Sequence, residues 1–345
     1  MKNSVPTNPH RQIHLVGAGI ASLASAAYFI RDGHIAGDQI TIYEELPVAG
    51  GSLDSAGSAK EGYVMRGGRM LNFSYLCTND LLSFIPSLTN LDITVLEEIK
   101  AFNEKIKTHS HARVVEDGKI LDVSFMGFSN RDRLDLIKMM AVSESHLGIK
   151  RVNEWFAPEF FETNFWYMWD TMFAFQPWHS AVEFKRYLHR FLHEFERINT
   201  LEGVDRTPYN QFDSLAMPLI KWLKAQGVHF EMDTRVTKID FKTIGEQKVA
   251  ARMHMLKNDQ TQELDLNIED LLLVTIGSMT ADSSLGAMHK APELITDKRD
   301  GSWLLWEAIA KQSPEFGRPF VFDNRVDESK WESFTVTSKG HLSLN

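Results

Sequence analysis

The N-terminal part of the chain carries the pattern of a strand, a glycine turn, a helix and a second strand. Residues 13–16 (Ile-His-Leu-Val) predict a short buried strand, and the glycine-containing turn 17–19 follows. The alanine-rich segment Ile20–Ile30 predicts a helix, and Gln39–Tyr43 predicts a second strand that leads to Glu44. A strand, turn, helix and strand in this order open a doubly wound α/β sheet.

Helical patterns dominate the middle of the chain, and strand patterns return after it. The predicted helices are 131–145, 152–161, 181–195 and 214–226, and the predicted strands are 120–125, 228–232, 235–241, 248–256 and 271–276. The last run is almost continuously apolar, which is typical of a central parallel strand. We therefore expect a discontinuous nucleotide-binding domain over 1–125 and 226–345, with a mainly helical substrate domain, 126–225, inserted into it.

Composition narrows the classes of function. The 345 residues carry a net charge of -9 without a basic stripe, so nucleic-acid binding is not expected. The one cysteine, Cys77, excludes a disulfide framework within the chain and is typical of a reducing compartment. The polar N-terminal residues lack the apolar stretch of a signal peptide, and no apolar run is long enough to span a membrane. We expect a cytoplasmic protein, and peripheral contact with the inner membrane face stays open.

The turn after the first strand carries a dinucleotide-binding pattern, G-x-G-x-x-S. Gly17 permits the tight turn, Gly19 lets the backbone approach a pyrophosphate, and the small Ser22 lets helix and strand pack closely. Ala21 lies in the first turn of the helix, whose N-terminal N–H groups attract phosphate. Glu44 stands at the end of the next strand, where an acid binds the ribose hydroxyls. The pattern predicts a bound dinucleotide.

A second glycine pair indicates which dinucleotide binds. Gly50, Gly51 and Ser52 follow the predicted second strand at a spacing that resembles FAD-binding proteins of the glutathione-reductase class more than NAD dehydrogenases. In that class two later segments also touch the nucleotide, and the segments around Val236 and Ser278 come in the right order for them. We therefore predict FAD as the cofactor of a Rossmann-like domain of the glutathione-reductase type.

The stretch from Trp155 to Trp178 is unusually rich in aromatic residues. Such density suits the wall of an apolar pocket, and it suits an aromatic core equally well. Two histidines, His109 and His111, have the spacing of metal ligands on a strand, but no third ligand is near in the sequence, so no metal site is predicted.

Beyond these patterns, the sequence resembles the oleate hydratase family, also described as myosin-cross-reactive antigens. The stretches that carry the resemblance are 17–23, 44–54, 63–69, 164–166, 173–184, 209–214 and 301–303. The resemblance extends from residue 13 to about residue 337. It implies a FAD-dependent hydro-lyase that adds water to the cis-9 double bond of oleate and similar unsaturated fatty acids, such as linoleate, to give 10-hydroxy fatty acids without net redox change.

The resemblance also implies roles for individual residues. It assigns the proton donor to Tyr187 and the contact with the fatty-acid carboxylate to Gln211. It adds Arg66, Gly68 and Met70 to the predicted FAD contacts. On the residues alone, Tyr187 would be a helix tyrosine with its hydroxyl at the surface, and Gln211 would be a loop glutamine in solvent.

Two features depart from the family. Many members carry a glutamate, assigned to water activation, directly after Arg-Gly-Gly-Arg, whereas this chain has Met70, whose thioether cannot take a proton from water. Family members are also longer, so we expect a C-terminally truncated product with an incomplete nucleotide-binding sheet. A redox flavoenzyme of the amine oxidase-like class and a non-catalytic remnant stay open as alternatives, and so does the oligomeric state, monomer or homodimer.

Overall fold

The computed structural model describes residues 11–58, 62–65, 69–258, 260–277, 283–287, 289–297 and 300–329. Three predicted cofactor contacts, Arg66, Gly68 and Ser278, lie outside the described residues. The described chain divides into two compact units. The first comprises residues 11–102 and 207–325, and the second comprises residues 103–206 and 326–329.

The regular elements are numbered in chain order. The strands are β1 (Ile13–Val16), β2 (Ile40–Tyr43), β3 (Ser55–Ser58), β4 (Gly62–Met65), β5 (Val115–Glu116), β6 (Lys119–Ile120), β7 (His229–Glu231), β8 (Thr234–Ile244), β9 (Gln247–Lys257), β10 (Gln260–Asp265) and β11 (Leu271–Val274). The helices are α1 (Ile20–Arg31), α2 (Leu76–Leu82), α3 (Val95–Lys105), α4 (Asn130–Ala141), α5 (Glu144–Leu147), α6 (Asn164–Phe173), α7 (Ala181–Phe191), α8 (Met217–Ala225), α9 (Gly301–Ala310), α10 (Phe320–Asp323) and α11 (Val326–Ser329).

A parallel sheet forms the centre of the first unit. Its strands stand in the order β11-β1-β2-β7, and each neighbouring pair is parallel. Ile13 is paired with Leu271 on one side and with Ile40 on the other. Ile13 and Ile40 are completely buried, as expected for strands that are covered on both faces. The protein is therefore an α/β protein with a parallel sheet, as the sequence predicts.

Helix α1 makes the connection that parallel neighbours require, because it joins β1 to β2. Its buried face carries Ser22, Leu23, Ala26 and Ala27, all completely buried. Three of these side chains are small, so the helix can pack closely. Each fully buried Leu or Ile in such a core stabilises the fold by roughly 1.5–3 kcal/mol.

An antiparallel sheet, β10-β9-β8, lies in the same unit. Helix α9 packs on β8. Leu305 and Ile309 of that helix join Val236, Ile239 and Met253 of the sheet in one buried cluster. This cluster holds α9 on the antiparallel sheet.

The second unit has an aromatic core. Phe160, Phe165, Trp169 and Phe184 are completely buried in it. The rings of Phe156 and Phe160 are stacked with their centroids 3.9 Å apart. The aromatic-rich stretch of the sequence therefore supplies much of a packed core, and helix α7, which follows that stretch, adds further rings.

The prediction of a helix over 152–161 is wrong. Two short 3-10 turns, Val152–Glu154 and Pro158–Glu162, stand there instead. Pro158 has no N–H to donate and its ring collides with a preceding helical turn, so it begins a new turn and cannot continue an old one.

The predicted helix over 131–145 is interrupted. Helix α4 ends at Ala141, and Val142 is extended, with ψ of 149°. The hydroxyl of Ser143 then accepts from the backbone N–H of His146 and caps α5. A serine that caps a new helix competes with helix continuation, which explains the break.

Two strand predictions also need correction. Of the predicted strand 120–125, Ile120 alone is in a strand, as the end of the two-residue β6. Strand β11 stands at the end of the sheet among the described residues, not at its centre. Leu271 and Val274 are accordingly 36% and 38% exposed. An apolar run indicates that a strand is buried, but it does not show which strands or helices cover it.

Candidate functional site

The turn between β1 and α1 has a conformation that favours glycine. Gly17 has a φ of +91°, and its N–H donates to the carbonyl of Tyr43 over 2.8 Å. A Cβ atom at Gly17 would lie 3.2 Å from the carbonyl oxygen of Thr275, just after β11. A larger residue would therefore be strained and would crowd the ends of β1 and β11.

The second glycine pair packs directly against this turn. Gly50 has a φ of +129°, and its N–H donates to the carbonyl of Ala18 over 2.9 Å. A Cβ atom at Gly51 would lie only 2.8 Å from the Cα atom of Gly19. Ser52 follows in a short 3-10 turn. The two glycine segments are separate in the sequence, but their backbones pack against each other.

Helix α1 begins where the two glycine segments meet. Its N-cap is Gly19, which has no side chain to cap the first N–H groups. Ala21 in the first turn is exposed, whereas Ser22 is completely buried. The hydroxyl of Ser22 lies 2.6 Å from that of Thr275. The helix end can thus offer N–H groups to an anion, while Ser22 attaches the helix to the end of β11.

Glu44 lies directly after β2, and its carboxylate organises the neighbouring backbone. One oxygen, Oε2, accepts from the N–H of Ala18 over 2.7 Å, and Oε1 accepts from the N–H of Leu46 over 3.0 Å. Burial raises the pKa of Glu44, although the hydrogen bonds from Leu46 and Ala18 act to lower it. A carboxylate offers about four acceptor positions. The backbone N–H groups of Leu46, Ala18 and Glu45 act on this one, so it has capacity for a hydroxyl donor as well.

Gln211 is buried, so its interpretation as a loop glutamine in solvent is wrong. The residue is 6% exposed, and its Nε2 donates to the backbone carbonyl of Arg69. The next residue, Phe212, opens a π turn. Its ring covers the second glycine pair, since a Cβ atom at Gly50 would lie 3.2 Å from Phe212 Cδ2. The segment that carries Gln211 is therefore part of the same site as the glycines.

Asn210 joins this segment to Ser55 and to the backbone of Asp213. Its Oδ1 accepts from the hydroxyl of Ser55 over 2.7 Å and from the N–H of Asp213 over 2.9 Å. The hydroxyl of Ser214 accepts from the N–H of Tyr209 over 3.2 Å. These local bonds explain why polar residues recur in the stretch 209–214.

The predicted helix over 214–226 begins earlier, as the π turn Phe212–Ala216, and continues as α8. Pro218 stands in the first turn of α8. A proline ring collides with the carbonyl four residues before it in a regular α-helix, and a wider turn relieves that collision.

The remaining predicted cofactor contacts in the described residues are Met70 and Val236. Met70 is half-buried and follows Arg69, the acceptor of the Gln211 bond. Val236 is 5% exposed and its side chain belongs to the core cluster under α9. A ligand could therefore contact Val236 only at its backbone atoms.

Tyr187 lies on α7 in the aromatic core of the second unit. Its ring centroid is 5.2 Å from that of Phe173 and 5.1 Å from that of Phe175. The residue is half-buried. The ring is therefore packed among other rings.

His179 and Trp178 hold the short helix α11 in place. The Nε1–H of Trp178 donates to the carbonyl of Glu328 over 3.0 Å, and Nε2 of His179 lies 3.2 Å from the same oxygen. The N–H of Gln176 donates to Nδ1 of His179 over 3.2 Å. Burial lowers the pKa of His179. These contacts give His179 a structural role.

Asp170 is a carboxylate that sequence reasoning missed. It stands on α6 beside the buried Trp169, and burial raises its pKa to about 6. A single acidic residue in a run of aromatic residues was the available signal. Its environment depends on tertiary packing, which a sequence pattern does not report.

A cavity of about 260 Å³ opens just beyond the end of β11 in the first unit. Its lining residues are Ile276, Gly277, Ser302, Trp303, Trp306 and Phe322. Within the described residues, no group of histidine, cysteine and acidic side chains is arranged to hold a metal ion. None of the helices described here is both long and apolar enough to cross a membrane.

Comparisons with known proteins identify relatives along the whole chain. The chain is 37% identical to an oleate hydratase of Streptococcus pyogenes serotype M49 (strain NZ131) over 331 residues, which are 95% of this chain and 56% of that protein. It is 36% identical to a linoleate hydratase of Lactiplantibacillus plantarum over 357 residues, which cover 96% of this chain and 62% of that protein. The chain thus spans less than two thirds of the length of these curated relatives.

Among solved structures, a CLA-producing fatty acid isomerase from P. acnes is similar with a TM-score of 0.42 and 18% identity, over 78% of this chain and 60% of that one. A family model, described as MCRA family, matches residues 10–345. The chain belongs to the MCRA family.

Proposed function

We propose that this chain is a FAD-dependent hydratase that adds water to the cis-9 double bond of oleate and similar unsaturated fatty acids to give 10-hydroxy fatty acids. The observation that carries the proposal is the 36–37% identity to enzymes named oleate hydratase and linoleate hydratase over 95–96% of the chain. The reaction is that of a hydro-lyase, and the partners are unsaturated fatty acids.

The geometry of the first unit supports FAD as the cofactor. The strand order β7-β2-β1-β11 is that of the first four strands in a doubly wound dinucleotide-binding sheet. Ligands of such sheets bind at the carboxyl ends of the strands, where the order reverses between β1 and its neighbour β11. Gly17, Gly19 and the N-terminus of α1 stand at that point, so the residues present fit the group.

The residues that would hold FAD follow from this placement. The backbone of Gly17, Gly19 and Gly51 would face the pyrophosphate, and the Glu44 carboxylate would accept from ribose hydroxyls. When bound, FAD would supply a structural and electrostatic element without net redox change. We assign this FAD-binding domain, Rossmann-like and of the glutathione-reductase type, to 1–125 and 226–345, with the helical substrate domain 126–225 inserted.

In this proposal, Tyr187 protonates one alkene carbon. A phenol with an ordinary pKa near ~10 is a weak acid. Its proton is transferred more readily where the conjugate base is stabilised, so the surroundings of the hydroxyl must stabilise the phenolate. The rings of Phe173 and Phe175 fix the position of the phenol ring, which limits the geometries the proton donor can adopt.

Gln211 would contact the carboxylate of the fatty acid. A primary amide has two N–H donors. One donates to the carbonyl of Arg69, which fixes the orientation of the amide. The second can donate to a carboxylate oxygen, so the bond to Arg69 positions the group and does not block it.

The experiment that tests this function is a product assay of the purified chain with oleate and reduced FAD, read by mass spectrometry. The proposal predicts a product heavier than oleate by one water. The oleate hydratase of Streptococcus pyogenes serves as the positive control. No product from this chain, beside product from the control, would contradict the proposal. A redox flavoenzyme would instead reduce oxidised FAD in stoichiometric amounts when oleate is added.

A further inference from the structure

Hydration of an isolated alkene needs a base as well as an acid. The proton donor adds a proton to one carbon, and water adds to the other carbon while it loses a proton to an acceptor. The segment 70–76 of this chain has no carboxylate, and a thioether at Met70 cannot accept that proton. The proposed function, on which this inference rests, therefore requires a proton acceptor elsewhere in the chain.

Asp170 lies on α6, in the same unit as the proposed proton donor Tyr187. On α6, Trp166 stands one turn before Asp170 and Phe173 one turn after it, so these three side chains share one flank of the helix. The ring of Phe173 lies 5.2 Å from the ring of Tyr187, centroid to centroid. Trp166 is 3% exposed and packs against Phe184 of the helix that carries Tyr187. Asp170 and Tyr187 therefore border the same aromatic cluster.

The carboxylate of Asp170 has no cationic partner among the residues that the structure describes. The backbone N–H of Thr171 is its one stabilising contact, and burial outweighs that contact, which raises the pKa of Asp170 to about 6. Partial burial of a carboxylate without a counter-ion lowers the stability of the fold. Such groups are concentrated at functional sites, which makes Asp170 a candidate for a role in catalysis. A pKa close to the working pH is what a general base needs.

The ionisable groups considered on the elements packed around α6 are either engaged elsewhere or exposed to solvent. Arg113 donates to the carbonyls of Met168 and Ile198, and Lys185 donates to those of Met140 and Val142. Glu194 is paired with Arg197 over 2.7 Å, and Glu159 and Glu162 are exposed. Apart from Tyr187 itself, no group in this set competes with Asp170 for the proton of a bound water.

We propose that Asp170 is the general base of the hydration reaction. The phenol O–H bond of Tyr187 breaks as a C–H bond forms at one alkene carbon. The oxygen of water forms a C–O bond at the other carbon, and one O–H bond of that water breaks as its proton passes to the Asp170 carboxylate. The products are the hydroxy acid, a Tyr187 phenolate and a protonated Asp170. Proton return from Asp170 to Tyr187 through solvent restores the starting state, with no change of oxidation state.

The test compares Asp170→Asn with Asp117→Asn in the full chain with FAD and oleate. Asn keeps the shape of Asp170 but cannot accept a proton, so we expect kcat to fall on the order of 100-fold or more with KM nearly unchanged. Asp117 lies in the exposed turn between β5 and β6, where φ is +48° and asparagine is well tolerated, so this variant controls for the chemical change. Oleate binding by calorimetry should be the same in both variants and in the wild type.

The pH profile provides the readout that a purely structural residue would not change. For the wild type, kcat/KM should rise with pH through about 6, and the residual activity of Asp170→Asn should lack this limb. If the wild type turns over oleate and the Asp170→Asn variant is active with an unchanged pH profile, the assignment of Asp170 is overturned and the proposed function is not. A wild-type chain without turnover, beside an active full-length relative, overturns the proposed function and this inference with it.

Discussion

A Cβ atom placed on Gly51 would lie 2.8 Å from the Cα atom of Gly19. The two residues belong to the two glycine segments of the first unit, and they meet backbone to backbone, with Gly19 paired to Gly50 as an isolated bridge. No side chain larger than hydrogen fits at this contact without a shift of the main chain. The contact joins the start of α1 to the turn after β2, where the proposed cofactor would lie against the backbone.

The first prediction concerns Gly51→Ala. Gly51 has a φ of +57°, and Gly245 in the β8–β9 hairpin has a φ of +61° with nothing within 4 Å of its Cβ position. Both substitutions add backbone strain of about 1–2 kcal/mol, but Gly51→Ala alone adds the collision with Gly19, for roughly 1–3 kcal/mol more. Thermal unfolding and FAD titration by flavin fluorescence should both show the larger loss for Gly51→Ala. Equal losses in the two variants would contradict the backbone contact.

The second prediction concerns Gln211→Glu. The change preserves size but replaces the donor that binds the Arg69 carbonyl with an acceptor. A buried group left without its partner costs about 1–3 kcal/mol. Urea unfolding should show that loss for Gln211→Glu, while Gln262→Glu on the exposed strand β10 should stay within about 0.5 kcal/mol of the wild type. A Gln211→Glu chain as stable as the wild type would place this side chain in solvent, against the burial seen here.

The third prediction separates chemistry from packing at Tyr187. Tyr187→Phe retains the ring that contacts Phe173 and Phe175 and removes the proton that the mechanism needs. We expect hydration of oleate to fall by roughly 100-fold to 10,000-fold with the thermal midpoint little changed. Tyr167→Phe is the matched control, because Tyr167 is 41% exposed on α6. Comparable activity of the two variants would remove Tyr187 from the mechanism.

The fourth prediction uses the titration of Asp170. Its pKa is raised from 3.8 to about 6, so the folded chain holds this proton more tightly than the unfolded chain. The free energy of unfolding therefore falls as the pH rises through that interval and stays lowered above it. Asp170→Asn should raise the thermal midpoint at neutral pH and leave it unchanged below pH of about 4. A midpoint difference that is the same at every pH would show that the carboxylate does not titrate in this interval.

Local signals predict the nucleotide-binding part of the fold well. The strand 13–16 and the start of α1 at Ile20 stand where the sequence places them, because a glycine turn between a buried strand and an alanine-rich helix is a short-range pattern. Glu44 likewise stands directly after β2, as the short-range pattern predicts. Periodicity alone predicts continuous helices across Pro158 and Ser143, whereas these two residues begin new turns.

Contacts between distant residues could not be predicted in the same way. Gln211 reaches the carbonyl of Arg69 across 142 positions of the sequence. Glu44 has a predicted role at the ribose, but its hydrogen bonds to the N–H groups of Ala18 and Leu46 depend on how two turns meet. The burial that distinguishes Asp170 arises from the packing of several aromatic side chains. Each of these features is a property of tertiary structure.

Addition of water to an alkene can be followed with an isotope. The purified chain is incubated with oleate and FAD in water labelled with heavy oxygen, and the extracted fatty acids are measured by mass spectrometry. A hydratase forms a hydroxy fatty acid that carries one labelled oxygen at its hydroxyl, with no net oxidation of the flavin. A hydroxyl without the label, or oleate recovered unchanged beside a relative that forms the labelled product, would contradict the proposed function.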